Sequence, residues 1–180
     1  MFPMSSIEKI KTKKIYALEG NIGAGKTTIL KVLEKHFKDV EFVEEPVKKW
    51  QNLGGMNLLN SFYSDPQRWG FSFEFYSMLT KIQALLNAAD SDKPIIIIER
   101  SILSNKIFMD LSNELGKLDK MEYCMLKKTY DFYLENVYPQ IAGIIYLDTP
   151  VDECIKRITR EIEEKNAILK KAIWKRLRKN

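Results

Sequence analysis

Cysteine and histidine are almost missing from this chain: its 180 residues hold only Cys124, Cys154 and His36. Without a C-x-x-C pair or a second histidine, the sequence argues against a structural zinc site or a disulfide framework, and both thiols read as packing residues. Long apolar runs are absent as well. Nothing approaches the roughly 20 residues that a membrane span needs. The first residues, MFPMSSIEKIKTKK, lack the apolar centre of a secretory signal, so a cytoplasmic protein without a membrane is the expectation. No internal repeat or low-complexity linker breaks the chain. What is present, 45% hydrophobic and 29% charged residues, suits one globular domain with a sizeable core.

The net charge of +5 is unevenly placed. From Lys156 to Asn180 ten Lys/Arg stand against three Glu, a balance of +7, which leaves −2 on the rest. A basic protein can bind nucleic acid. Here the charge is a C-terminal feature, so nucleic acid is not the expected partner and a polyphosphate ligand competes well with it.

Apolar periodicity alternates between two types. KIYALEG, VEFVEEP, KPIIIIER and IAGIIYLDTP read as strands, the first and last as buried ones and KPIIIIER as a continuous β-branched run typical of a strand buried on both faces. Between them lie GKTTILKVLEKHFK, a long helix from about Pro66 to Ala89 with proline at its start, and helices over about Ile102–Leu115 and Asp119–Tyr138. Another helix runs from Asp152 to about Glu163. This order predicts an α/β domain with a mostly parallel sheet of four readable strands flanked by helices. Ligands of such sheets sit at the carboxyl ends of the strands, so the polar residues there are the ones to read.

After the first strand, GNIGAGKTT fits G-x-x-x-x-G-K-[ST] with Gly20, Gly25, Lys26 and Thr27 in the fixed places. Glycines let backbone N–H groups approach an anion, and the helix that follows favours negative charge at its N-terminus. Residues Gly20, Asn21, Ile22, Gly23, Ala24, Gly25, Lys26, Thr27 and Thr28 are therefore the expected loop for the phosphates of ATP or GTP. Lys26 would reach the outer phosphates and the Thr27 hydroxyl would ligate Mg²⁺. After the second strand, Glu44 and Glu45 offer a general base on an alcohol, or else a solvated surface pair. After the third, Glu99 could bind Mg²⁺ and Arg100 could neutralise a transferring phosphoryl group, or the two could be a buried ion pair. Asp148 and Thr149, after the fourth, read as helix caps. The long helix is crowded with aromatics, and Glu74 and Lys81 share its face at i, i+7. Such polar groups inside an aromatic face could read a flat heterocycle, with Trp50 and Tyr63 as further walls or as ordinary core.

LEGNIGAGKTT, EEPVKKW, DPQRWGFSFEFYSMLTKIQ and IIERSILSNKIF, in that order, resemble the deoxynucleoside kinase family. The likeness runs from about Lys14 to Arg160. It implies a P-loop kinase fold, usually with a fifth strand that is not readable here, and transfer of the γ-phosphate of ATP to the 5′-hydroxyl of a deoxynucleoside, with Mg²⁺ as cofactor and a homodimer as assembly. By this resemblance Glu45 is the general base, Glu99 the Mg²⁺-associated carboxylate, and Arg100 the contact to the 5′-oxygen and the moving phosphate. Trp50 then lines the sugar and base, Tyr63 holds the 3′-hydroxyl, and Glu74, Lys81 and Asn105 face the base.

Two departures from the family pattern stand out. Glu74 replaces the usual base-reading glutamine and Asn105 replaces an aspartate, so carboxylate and amide have changed places. An ionised Glu74 only accepts hydrogen bonds, which suits guanine or thymine better than cytosine and implies a deoxyguanosine or broad preference, with Asn105 donating to the guanine O6. The lid pattern is also incomplete. Arg157 and Arg160 remain as ATP contacts, Glu163 or Glu164 matches the lid glutamate near the sugar, and residues 157–165 form a partial lid. Residues 1–13 read as an N-terminal arm and 166–180 as a basic C-terminal helix. A shortened lid leaves two rival readings: a catalytically weak partner subunit of a complete kinase, or a nucleic-acid binder acting through the basic tail.

Overall fold

A computed structural model describes residues 4–163. Its elements are α1 (Met4–Lys11), β1 (Lys14–Gly20), α2 (Lys26–His36), β2 (Val40–Val43), α3 (Val47–Gln51), α4 (Leu58–Ser64), α5 (Pro66–Ala88), β3 (Ile95–Glu99), α6 (Ile102–Glu114), α7 (Lys120–Asn136) and β4 (Ile141–Leu147). A further helical stretch, α8, covers 151–163. Glu164 and the basic segment 166–180 lie outside the described residues.

The four strands form one sheet in the order β2-β3-β1-β4, and every pairing is parallel. The expected α/β architecture is therefore present, with parallel pairing throughout. Chain order differs from sheet order because each parallel neighbour is reached by a helical crossover. Most helix starts are written locally. Asp65 accepts from the Arg68 N–H and Pro66 sits at the first helical position of α5, while Asp119 and Glu122 make a reciprocal capping box on α7.

The two faces of the sheet are covered unequally. On one, Ile15, Ala17, Ile96 and Ile98 pack with Met78, Ile82, Leu85 and Leu86 of α5, Ile102 and Met109 of α6, and Leu126 and Tyr130 of α7. The other holds a small cluster of Leu18, Leu30, Val40 and Ile97. On α2, Leu30 is buried while Ile29 and Val32 are exposed, as is Phe37 at its C-cap. Two differences from expectation appear. Residues 4–11, read as part of an arm, form α1, whose Ile10 is fully buried in the main core. β4, read as a buried strand, is an edge strand among the described residues and exposes Ile144 and Tyr146. Its apolar composition matches that of an inner strand; its place in the sheet does not.

Candidate active site

The carboxyl ends of β1, β2 and β3 converge on one place. The phosphate loop follows β1, and close packing requires its glycines: a Cβ on Gly23, which has φ +80°, would lie 2.6 Å from the Cys154 carbonyl oxygen of α8. The buried Lys26 side chain donates to the Gly20 and Asn21 carbonyls at 3.0 and 2.7 Å. Burial, and then the charge of Arg100, lower its pKa to about 8. Arg157 donates from Nη1 to the Ala24 carbonyl at 3.1 Å, and Thr149 donates its hydroxyl to the same oxygen, also at 3.1 Å. Thus Arg157 stands at the loop, and Thr149 braces the loop besides preceding α8. Arg160 and Glu163 are exposed on α8.

Glu44 and Glu45 part company in the structure. Glu44 reaches the surface Lys31 at 3.6 Å, with both side chains about half exposed. Glu45 turns inward, with Oε1 3.1 Å from Lys81 Nζ and Oε2 3.6 Å from Arg100 Nε. Beside it, Thr27 donates its hydroxyl to Glu99 Oε1 at 2.7 Å. Burial holds the Glu99 carboxyl above its ordinary range, with the Thr27 hydrogen bond opposing. Arg100 carries the one positive φ, 58°, found outside glycine among the described residues. Such a backbone costs about 1–3 kcal/mol and persists where its neighbours over-determine it. Glu45, Glu99, Lys26 and Arg100 thus form one charged cluster around the loop, whose members perturb one another.

A second polar group lies deeper. Glu74 and Asn105 are both buried, and the Asn105 amide donates to Ser77 Oγ at 2.7 Å and more weakly to Glu74 Oε2 at 3.4 Å. Its carbonyl oxygen, buried as well, has no partner among the described residues. Asn105 was expected to donate to a base; here its N–H groups serve Ser77 and Glu74, and an acceptor is left over. Burial raises Glu74 to about 7, with Lys81 and Asn105 pulling the other way. Trp50 donates its indole N–H to Thr80 at 2.8 Å and meets Phe73 edge-on at 5.4 Å, which pins α3 on α5. Tyr63 is 66% exposed, and the ring contact it makes is with Phe62 at 5.5 Å. Ser77 and Thr80 were missed in the sequence, although both lie three residues after a polar residue of α5, which puts them on neighbouring turns of its polar face.

The family model for deoxynucleoside kinase matches residues 16–180. The chain belongs to the deoxynucleoside kinase family. Among curated relatives it is similar to a probable deoxycytidine kinase of fowlpox virus (strain NVSL), 35% identical over 161 residues, covering 88% of this chain and 66% of that protein. Mitochondrial thymidine kinase 2 of Macaca fascicularis is 34% identical over 167 residues, covering 92% and 62%. Deoxycytidine kinase of Bos taurus is 33% identical over 180 residues, covering 87% and 68%. The chain therefore spans about two thirds of the length of these family members. The family match extends over the basic segment 166–180, beyond the stretch from about Lys14 to Arg160 that the motifs mark out.

Proposed function

We propose that this protein is an ATP-dependent deoxynucleoside 5′-kinase of nucleotide salvage. The observation that carries it is Glu45, a carboxylate held between Lys81 and Arg100 beside the Lys26, Thr27 and Glu99 cluster. Phosphoryl transfer asks little covalent work of a protein, so positioning and charge suffice. The phosphate loop and Arg157 hold the donor phosphates. Glu45 accepts the proton of the 5′-hydroxyl as its oxygen bonds to the γ-phosphorus, and the bond from that phosphorus to the β–γ bridging oxygen breaks, leaving ADP. Lys26 and Arg100 balance the charge on the moving group.

The Thr27 hydroxyl and Glu99 carboxylate are adjoining hard oxygen donors next to the loop, which fits Mg²⁺. Among the described residues there is no cluster of three or more His, Cys, Asp or Glu side chains that could hold a metal. Mg²⁺ would neutralise phosphate charge there.

Glu74 and the unpartnered Asn105 carbonyl present acceptors to a base, so deoxyguanosine, with N1–H and N2–H₂, or a broad range is preferred over deoxycytidine. Trp50, Tyr63 and the lid glutamate, Glu163 or Glu164, would hold the sugar and Arg160 would assist with ATP. A homodimer through the exposed apolar residues of α6 and α7, among them Ile107, Leu111, Met121 and Met125, fits the same reading. No helix among the described residues is long and apolar enough to cross a membrane, and a cytoplasmic site of action is proposed.

A radiolabelled ATP assay across the four deoxynucleosides tests this, with Glu45→Gln as control. Labelled 5′-monophosphate that disappears in the control is the expected result. Tight ATP binding with no turnover would favour the rival partner-subunit reading. Higher kcat/KM for deoxycytidine than for deoxyguanosine and thymidine would remove the base preference, because an unmatched buried hydrogen bond costs about 10⁴-fold in discrimination.

A further inference from the structure

Glu19 belongs to no part of the mechanism above, yet its side chain ties the two halves of the site together. It is the last residue before the phosphate loop's Gly20. Its Oε1 accepts from the Ser101 N–H at 2.8 Å and from the Ser101 hydroxyl at 2.7 Å, and its Oε2 accepts from the Ser104 hydroxyl. Both serines are buried, and Ser101 in turn caps α6 by accepting from the Leu103 N–H at 3.2 Å.

The backbone explains why a side chain is needed there. The β1–β3 ladder ends where Leu18 pairs with Glu99, and the Arg100 N–H still donates to the Leu18 carbonyl at 3.1 Å. Arg100 then turns into the left-handed region at φ 58°, which takes the Ser101 N–H out of the ladder. The Glu19 carboxylate supplies the acceptor that the strand no longer offers. An arginine keeps a left-handed backbone only when the bonds on both sides demand it. Here those bonds are Leu18 before it and Glu19 after it.

We propose that Glu19 is a positioning residue for phosphoryl transfer: its carboxylate clamps the turn after β3 to the strand that enters the phosphate loop, and so aims Arg100. The role rests on the kinase reading of the site. The clamp works through hydrogen-bond geometry rather than through negative charge. Glutamine keeps an acceptor oxygen for Ser101 and an amide that can donate to the Ser104 hydroxyl, whereas alanine leaves a buried N–H unpaired.

The test uses the full chain carrying E19A, E19Q, R100A and the double variant E19A/R100A, each checked for folding by circular dichroism and urea unfolding. E19A is expected to lower kcat about 10²-fold, the scale of a misplacement near 1 Å, with KM for ATP changed less than about threefold. E19Q should retain kcat within about fivefold, because the hydrogen bonds survive. In the R100A background, E19A should cost less than about threefold more, because its effect passes through Arg100. The Ser101 amide should exchange with solvent faster in E19A and not in E19Q. If E19A does not fold, E19Q and S104A carry the test: S104A should give a smaller kcat loss that also vanishes with R100A. Losses that multiply in the double variant, or an E19Q as damaged as E19A, would overturn the clamp and leave the kinase reading intact. No transfer by the unsubstituted chain would overturn both.

Discussion

β3 and β4 are both isoleucine-rich, both pair in parallel with β1, and both end beside the phosphate loop. They differ in what lies around them. β3 sits between β2 and β1 and is buried at four of its five residues; β4 stands at the edge and exposes Ile144 and Tyr146. The difference extends to their ends. β3 delivers Glu99 and Arg100 into the charged cluster, where burial gives charges leverage on one another. β4 delivers Thr149, which only braces the Ala24 carbonyl. Of the two strands paired with β1, the inner one thus ends in buried charges and the edge one in a bracing hydroxyl.

That contrast can be broken at its active end first. Glu45→Gln should lower kcat by about 10²–10⁴-fold, the range for losing a general base, and also lower the urea midpoint, because the buried Lys81 and Arg100 lose their carboxylate. A kinase assay beside an unfolding curve checks both. A stability loss with kcat unchanged would make the carboxylate a structural ion-pair partner alone.

In the core, Ile96→Ala should destabilise by about 2–5 kcal/mol, because Ile96 is fully buried between the sheet and α5 and truncation leaves a cavity. Urea unfolding measures it. A cost below about 1 kcal/mol would mean that β3 packs no better than β4.

Glu74 gives an intermediate effect with a pH signature. Its folded-state pKa, about 7, lies above the ordinary 4.5. Between about pH 4.5 and 7 the unfolded chain has already lost this proton while the folded chain keeps it, so stability falls as pH rises through that window. Glu74→Gln should flatten this dependence and stabilise the fold at pH 8 by up to about 3 kcal/mol, since each tenfold change in proton affinity corresponds to about 1.4 kcal/mol. The same proton bears on substrate choice. Protonated Glu74 can donate to cytosine N3, so the ratio of kcat/KM for deoxycytidine over deoxyguanosine should rise from pH 8 to pH 6 in the parent and stay flat in the variant. A flat parent profile would separate Glu74 from base selection.

The smallest effect belongs to the edge. Ile144→Thr should change stability by no more than about 0.5 kcal/mol, because the side chain is 57% exposed among the described residues. A larger loss in the full chain would show that something covers this strand in solution.

Much of this was legible in one dimension. The phosphate loop, the alternation of strands and helices, and Glu45, Glu99 and Arg100 at strand ends all follow from local spacing. A parallel sheet turns such spacing into convergence, because every strand points its carboxyl end the same way. Even the start of α5 was readable, since Asp65 and Pro66 act on their own neighbours. The missed features depend on partners far away in the chain. Nothing near Glu19 hints at Ser101 or Ser104, 82 and 85 residues on. Nothing near residue 10 says that its isoleucine enters the main core.

By itself, then, the sequence determined the type of each element, the glycine-rich loop after β1 and the set of charged residues at the strand ends, because these rest on contacts within a few residues. Tertiary structure alone decided which of two adjacent glutamates turns inward, which isoleucine strand is buried, and which acceptor Asn105 leaves unfilled. Those outcomes depend on neighbours brought together by the sheet order, and burial, not composition, sets the strength of every charge among them.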